Sequence, residues 1–192
     1  MMKSIGVQWV LAGHSERRTL FGESNEYING QVMALMNEGM NCMLCIGESL
    51  SEYEKNLAES VCAVQLKKGL KNVSRDEMSR IAIAYEPVWA IGTGKVATPE
   101  TAQKVHATCR EILADIYDPE TADATRILYG GSVTPESIDE LMAQPDIDGV
   151  LVGGASLDST KFARILNYKT AKKAGRFRSL LRSVKRAVRR GA

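Results

Sequence analysis

Ala84-Tyr85-Glu86-Pro87-Val88-Trp89-Ala90-Ile91-Gly92-Thr93-Gly94-Lys95 ends an apolar strand on a carboxylate and continues it as an apolar loop hinged on glycine. The preceding run, Arg80-Ile81-Ala82-Ile83-Ala84-Tyr85, is short and continuously apolar, the pattern of a strand buried on both faces inside a parallel, helix-covered sheet. Glu86 stands where that strand meets its loop. Tyr85, Val88, Trp89 and Ile91 would strip water from the carboxylate, raising its pKa and making it a stronger proton acceptor near neutral pH. Pro87 stiffens one end of the loop while Gly92 and Gly94 loosen the other, as a lid requires if it is to admit a ligand and then exclude water. The plain alternative, a capping or salt-bridged Glu86 and a mere connection, is weighed against the remaining motifs.

Working outward toward the N-terminus, Val7-Gln8-Trp9-Val10-Leu11-Ala12-Gly13-His14-Ser15-Glu16-Arg17-Arg18 is a second apolar strand that stops at polar chemistry. His14 falls at the strand end, and Ser15 is placed to cap a following helical turn. A histidine at a helix N-terminus is held neutral by the positive end of the dipole and offers a carbonyl a hydrogen bond in place of a full charge. Toward the C-terminus come two glycine turns, Tyr129-Gly130-Gly131-Ser132 and Val152-Gly153-Gly154-Ala155. Each follows an apolar strand and precedes a helical pattern, so that unhindered peptide N–H groups face the place where an anion would sit. Strands are predicted near 7–13, 41–47, 80–86, 126–130 and 148–153. Helical patterns cover 27–39, 52–69, 98–116, 135–143 and 159–167, and Thr98-Pro99-Glu100 and Thr134-Pro135-Glu136 have the form of helix starts. The fold class is α/β.

In their order and spacing, Gly13-His14-Ser15-Glu16-Arg17-Arg18, Cys45-Ile46-Gly47-Glu48, the run from Ala84 to Lys95, Tyr129-Gly130-Gly131-Ser132 and Val152-Gly153-Gly154-Ala155 resemble the triosephosphate isomerase family. The resemblance spans about residue 1 to Tyr168, and the lid sequence is its most specific part. It implies a (β/α) barrel of which about five of eight βα units are present. It also implies an isomerase that interconverts dihydroxyacetone phosphate and D-glyceraldehyde 3-phosphate through an enediol(ate), in glycolysis and gluconeogenesis, as a cytoplasmic homodimer. Carried over residue by residue, Glu86 is the base and His14 the electrophile and proton shuttle. Gly92, Ser132, Gly153 and Gly154 bind the substrate phosphate, Glu16 supports His14, and Cys45 packs beside the site. No cofactor or metal is implied, since enolisation needs an acid–base pair and electrostatics.

Three βα units of the family pattern have no counterpart. The chain opens on Met1-Met2-Lys3-Ser4-Ile5-Gly6, which reads as the last turn of a helix closing on glycine. The family's first loop supplies a lysine and an asparagine to the substrate, neither with a matching position, and the loss of such a cation costs about 10²–10³ in rate. Five strands also leave two unpaired edges, along 7–13 and 148–153. The rival reading is therefore a non-catalytic remnant or split-enzyme fragment with a basic binding tail. A nucleotide-binding P-loop is excluded, because Val96 follows Gly94-Lys95 where Ser or Thr is needed and Trp89 takes the first glycine's place.

Composition divides the chain at about residue 168. Overall it carries 25 Lys or Arg against 23 Asp or Glu. Ten of the basic residues and none of the acidic ones fall in 169–192, so 1–168 keeps 15 basic against 23 acidic, a net of −8. Within the tail Phe177, Leu180, Leu181, Val184 and Val188 recur at helical spacing among arginines and lysines, which describes a basic amphipathic helix suited to an anionic membrane, nucleic acid or acidic partner. No apolar run reaches membrane-spanning length and no signal-peptide h-region is present. The four cysteines suit a reducing compartment. Cys42 and Cys45 have CxxC spacing, but odd spacing on a strand sends them to opposite faces, so they read as core thiols without redox or metal chemistry. His106, mid-helix, reads as a surface residue.

Overall fold

A computed structural model describes residues 2–91 and 97–169. Gly92 and the rest of the 92–96 lid tip lie outside the described residues, as do the expectations for 170–192.

The chain alternates strand and helix in the order β1 (Trp9–Ala12), α1 (Ser15–Phe21), α2 (Asn25–Asn37), β2 (Asn41–Ile46), α3 (Leu50–Tyr53), α4 (Ala58–Gly69), β3 (Ile81–Tyr85), α5 (Pro99–Ile116), α6 (Pro119–Ala124), β4 (Arg126–Tyr129), α7 (Ile138–Ala143), β5 (Gly149–Val150) and α8 (Ser159–Leu166). The five strands form one parallel sheet in sequence order, β1-β2-β3-β4-β5. Sequential parallel order with a helix in every crossover is the wall of a (β/α) barrel, because same-handed crossovers put all helices on one face. Before β1, Lys3–Ile5 makes a 3-10 turn that closes on Gly6 at φ 82°, as the opening residues predict.

Register divides the sheet into two faces. Ala12, Leu44, Ile83 and Ile127 pair in one row, and Ile46, Tyr85, Tyr129 and Val150 in another. These rows pack against Ile28, Val32, Leu66, Cys109, Leu113 and Ile138 of the helices in one hydrophobic core. The opposite face carries the rows Leu11-Met43-Ala82-Arg126 and Cys45-Ala84-Leu128-Gly149. It is buried at its middle by small residues and opens at β1, where Trp9 and Leu11 are 37% and 47% exposed. Among the described residues β1 and β5 pair on one side only, the two predicted edges. Cys42 and Cys45 are both fully buried, on opposite faces, as their spacing requires.

Several boundaries depart from expectation for local reasons. The single helix expected at 52–69 is two, interrupted by Asn56 at φ 57°, a left-handed conformation that asparagine tolerates better than most residues. The helix expected at 135–143 begins at Ile138 because Thr134 and Ser137 first bond each other's peptide N–H groups, at 3.0 and 3.3 Å. The helical turn expected after Ser15 is α1, whereas α6 has no counterpart among the predicted helical patterns, although its N-cap Asp118 accepts from Thr121 N at 2.8 Å. His106 is not on the surface: it is fully buried. It lies on the same stripe of α5 as Ala102, Val105, Cys109 and Leu113, with its ring edge-on to Tyr85 at 5.7 Å and Nδ1 3.3 Å from the Asp146 carbonyl.

Candidate active site

All five strands are parallel, so their C-terminal loops share one edge of the sheet, and the predicted site residues that are described, His14, Glu16, Glu86, Ser132, Gly153 and Gly154, follow those strand ends. After β1 the chain turns at Gly13, φ 76°. A Cβ at that position would meet the Arg18 guanidinium at 2.9 Å and the Cys45 carbonyl at 3.1 Å. Arg18 ties the turn down, donating to Gly13 O at 2.7 Å, Cys45 O at 3.0 Å and Asn25 Oδ1 at 2.8 Å. This clamp fixes the direction in which His14 leaves the strand.

His14, in place of the expected Ser15, is the N-cap of α1. Its Nδ1 accepts from the Glu16 peptide N–H at 3.4 Å. A peptide N–H can only donate, so the hydrogen-bond network assigns the bare nitrogen to Nδ1 and the proton to Nε2. Nε2 faces Glu86 Oε1 at 3.0 Å, and Ser15 N donates to Glu86 Oε2, also at 3.0 Å. Glu16 reaches His14 through its backbone, while its carboxylate is exposed. The helix start thus presents a neutral imidazole N–H and a peptide N–H to one carboxylate.

Glu86 is 2% exposed. Burial pushes its pKa above the ordinary glutamate value, and the opposing attraction of His14 and the Ser15 N–H only partly offsets this. Its backbone is pinned from both sides: Glu86 N donates to Ile46 O and Gly130 N to Tyr85 O, each at 2.7 Å. The approach is so close that a Cβ on Gly47 would run into the Glu86 carbonyl, so position 47 admits glycine alone. Gly130 lies alongside, where a Cβ would stand 3.0 Å from Glu86 Cγ.

The start of the lid is held by Glu48, a residue to which the sequence reading assigns no role. Trp89, in the 3-10 turn Val88–Ala90, donates its indole N–H to Glu48 Oε1 at 2.6 Å, and Tyr85 OH donates to the same oxygen at 3.0 Å. Tyr53 stacks on the indole with centroids 4.0 Å apart. Glu48 is fully buried, and burial raises its pKa. A signal was present: Glu48 follows β2 through Gly47 much as Glu86 follows β3.

The structure brings together His14, Ser15, Glu86 and Gly130. Ser132, half-buried, and Gly153 and Gly154, exposed, stand on the same edge after β4 and β5, and a Cβ on either of the last two would meet nothing within 4 Å. Their backbones therefore face open space, as a loop that cradles an anion requires. A desolvated carboxylate and an imidazole N–H in one pocket can remove a proton from carbon while polarising an adjacent carbonyl.

Comparison with known proteins agrees with this geometry. The family model described as triosephosphate isomerase matches residues 1–169. The triosephosphate isomerase of Chloroflexus aurantiacus is 49% identical over 169 residues, covering 88% of this chain and 68% of that protein. That of Thermoanaerobacter pseudethanolicus is 51% identical over 168 residues, with the same coverage, and that of Geobacter metallireducens 48% over 169 residues, covering 88% and 67%. With the pairing of Glu86 and His14 and with a family match over nearly all of the described residues, this chain belongs to the triosephosphate isomerase family.

Proposed function

We propose that this chain interconverts dihydroxyacetone phosphate and D-glyceraldehyde 3-phosphate by proton transfer through an enediolate, and the observation that carries this is the buried Glu86 held 3.0 Å from the protonated Nε2 of His14. Triosephosphate isomerase is itself the standard example of a glutamate base paired with a neutral histidine electrophile. Glu86 takes the proton from the substrate carbon next to the carbonyl. His14 donates its Nε2 hydrogen bond to the carbonyl oxygen, where negative charge develops, and passes protons between the two oxygens. A neutral donor suits this role because its acidity lies nearer to that of the enediol than an imidazolium's would. Both oxygens of Glu86 are occupied by His14 and Ser15, so the carboxylate exchanges these contacts for substrate when it acts. Pro87 and the Val88–Ala90 turn adjoin it, which links that movement to the lid.

The phosphate is assigned to peptide N–H groups at Gly92, Ser132, Gly153 and Gly154, and Glu16 supports His14 through its backbone. We place the reaction in glycolysis and gluconeogenesis in the cytoplasm, in a homodimer, with the isomerase part ending near Tyr168. The chemistry calls on acid–base groups and electrostatics, and no cofactor is assigned.

The test is isomerisation of D-glyceraldehyde 3-phosphate by residues 1–192, alone and mixed with the segment of the Chloroflexus aurantiacus protein that the match does not cover, with Glu86→Ala as the blank. Turnover that vanishes in the blank supports the assignment. Turnover confined to the mixture makes the chain one part of a split enzyme, and none in either arm overturns the catalytic reading.

A further inference from the structure

α5 belongs to the crossover that carries the chain from β3 to β4, and His106 is the aromatic residue it presents to both strands. Tyr85 and Tyr129, the last residues of β3 and β4, are partners in the parallel register, and both are fully buried. The His106 ring meets Tyr85 nearly edge-on, at 87° with centroids 5.7 Å apart, and Tyr129 tilted at 38° and 6.5 Å. Both separations fall within the ~4.5–7 Å at which aromatic pairs attract. Nδ1 stands 3.3 Å from the Asp146 carbonyl, and Nε2 has no hydrogen-bond partner among the described residues. Toward the tyrosines, therefore, the side chain acts as a ring.

Each tyrosine leads to one side of the candidate site. Tyr85 immediately precedes Glu86, and its hydroxyl donates at 3.0 Å to the same Glu48 oxygen that receives the Trp89 indole N–H at 2.6 Å. Tyr129 immediately precedes Gly130. A Cβ at Gly131 would run into the Tyr129 phenol and stand 2.9 Å from Pro87 Cγ, so the phenol, the glycine turn and the residue after Glu86 meet at one point. The Val88–Ala90 turn and the Gly130–Gly131 turn thus each rest on a tyrosine, and one ring backs both tyrosines.

We propose that His106 is a positioning residue that sets these two turns together, by holding the Tyr85 and Tyr129 rings in the orientation in which they reach Glu48 and Gly131. It acts through the tyrosines and touches no reacting atom. An aromatic pair shifts an equilibrium by about 2–10-fold, so loss of the ring from both is read as roughly tenfold. The competing explanation is the contact with the Asp146 carbonyl, which would make His106 a strut between α5 and the loop before β5. That carbonyl also receives Arg110 Nη2 at 3.2 Å, so it keeps a donor when His106 is replaced. The effect on Trp89 is independent of what the chain catalyses, and only the kinetic consequence rests on the isomerase assignment.

The indole N–H of Trp89 tests it. The full chain has two tryptophans, so nitrogen-15 spectra give two indole signals, with exposed Trp9 as internal reference and Trp89→Phe as the assignment. His106→Gln keeps a donor and loses the ring, whereas His106→Phe keeps a ring and loses the donor. Hydrogen exchange of the Trp89 indole at pH 7 is expected to be about tenfold faster in His106→Gln and within about twofold of the parent in His106→Phe. His106→Met, flexible and without a ring, takes the place of the Gln variant if that chain does not fold. In the isomerase assay, with or without the added segment, His106→Gln is expected to raise KM about fivefold with kcat changed by less than about twofold, and His106→Phe to restore the parent KM. Equal indole exchange in the parent and the ringless variant overturns the proposal. So does a His106→Phe chain that exchanges as fast as the ringless one, which assigns His106 to its Asp146 contact, and so does an unchanged KM, which confines its influence to the Trp89 side. No turnover by the parent in either arm overturns the isomerase assignment instead, and the indole exchange then decides the role of His106.

Discussion

At the scale of single residues, Glu86 and Glu48 are two buried carboxylates a strand apart with opposite duties. Glu86 must ionise to act, and burial holds its pKa above the usual range. The acid limb of kcat/KM is therefore expected above pH 4.5, the ordinary glutamate value, and Glu86→Gln is expected to lower kcat by about 10²–10⁴, the usual worth of a positioned base. A pH–rate profile of both proteins is the check. Glu48 has a structural duty, receiving the hydrogen bonds of Tyr85 and Trp89, which Gln can also accept. Its raised pKa means that the folded state holds the proton more tightly than the unfolded chain. Stability from this group is therefore fully present below pH 4.5 and declines as pH rises through the folded value. Glu48→Gln removes that decline, and denaturant titrations from pH 4 to 8 should show a flatter curve for the variant. Glu86 was legible in sequence because it sits on a distinctive loop, whereas the role of Glu48 depends on a tryptophan 41 residues away.

Among the elements, α5 does the most to join the molecule. Arg110 donates to Asp146 Oδ1 at 2.9 Å and Asp148 Oδ2 at 2.7 Å, and to the carbonyls of Ala122 and Thr125 at 2.7 and 3.0 Å. It thereby fastens α5 to α6, to the start of β4 and to the strand entry of β5. Arg110→Met removes the one cation from this group, leaving Asp146 with Gln103 Nε2 at 2.6 Å and Asp148 with Ile127 N at 2.9 Å, and a loss of about 3–5 kcal/mol in urea unfolding is expected. His106, one turn earlier, is buried with its pKa pushed down to about 4. The unfolded chain takes up this proton near pH 6.5 and the folded one only near 4, so stability falls as pH drops across that window, by roughly 3 kcal/mol in total. His106→Gln should remove most of that slope between pH 6.5 and 4 in thermal melts. The spacing 102, 105, 106, 109, 110 and 113 already traces one helical face. Residue polarity concealed it, since His and Arg are normally outside unless paired, and their partner Asp146 is 36 to 40 residues away.

For the whole molecule, the sheet's two faces differ in completeness. The helix-facing side is a continuous core, while the inner face ends at β1 in exposed Trp9 and Leu11, with the Arg126 guanidinium 5.4 Å over the Trp9 ring. An apolar patch beside an unpaired edge invites association. Sedimentation velocity is expected to show concentration-dependent self-association that Leu11→Lys reduces, while Arg126→Lys, which keeps the charge, leaves it nearly unchanged.

What the sequence alone determined were the features that local physics writes into adjacent residues. Apolar runs set the order and number of strands, Thr98 set the start of α5, and the loop after Tyr85 identified the base. Each depends on hydrogen bonding, periodicity or backbone freedom within a few residues. Tertiary structure alone decided the capping of α1 by His14, the meeting of Nε2 with Glu86 across 72 residues, the burial of His106, and the docking of Trp89 on Glu48. In those cases the energy lies in desolvation and in hydrogen bonds between strands that only the parallel register brings side by side.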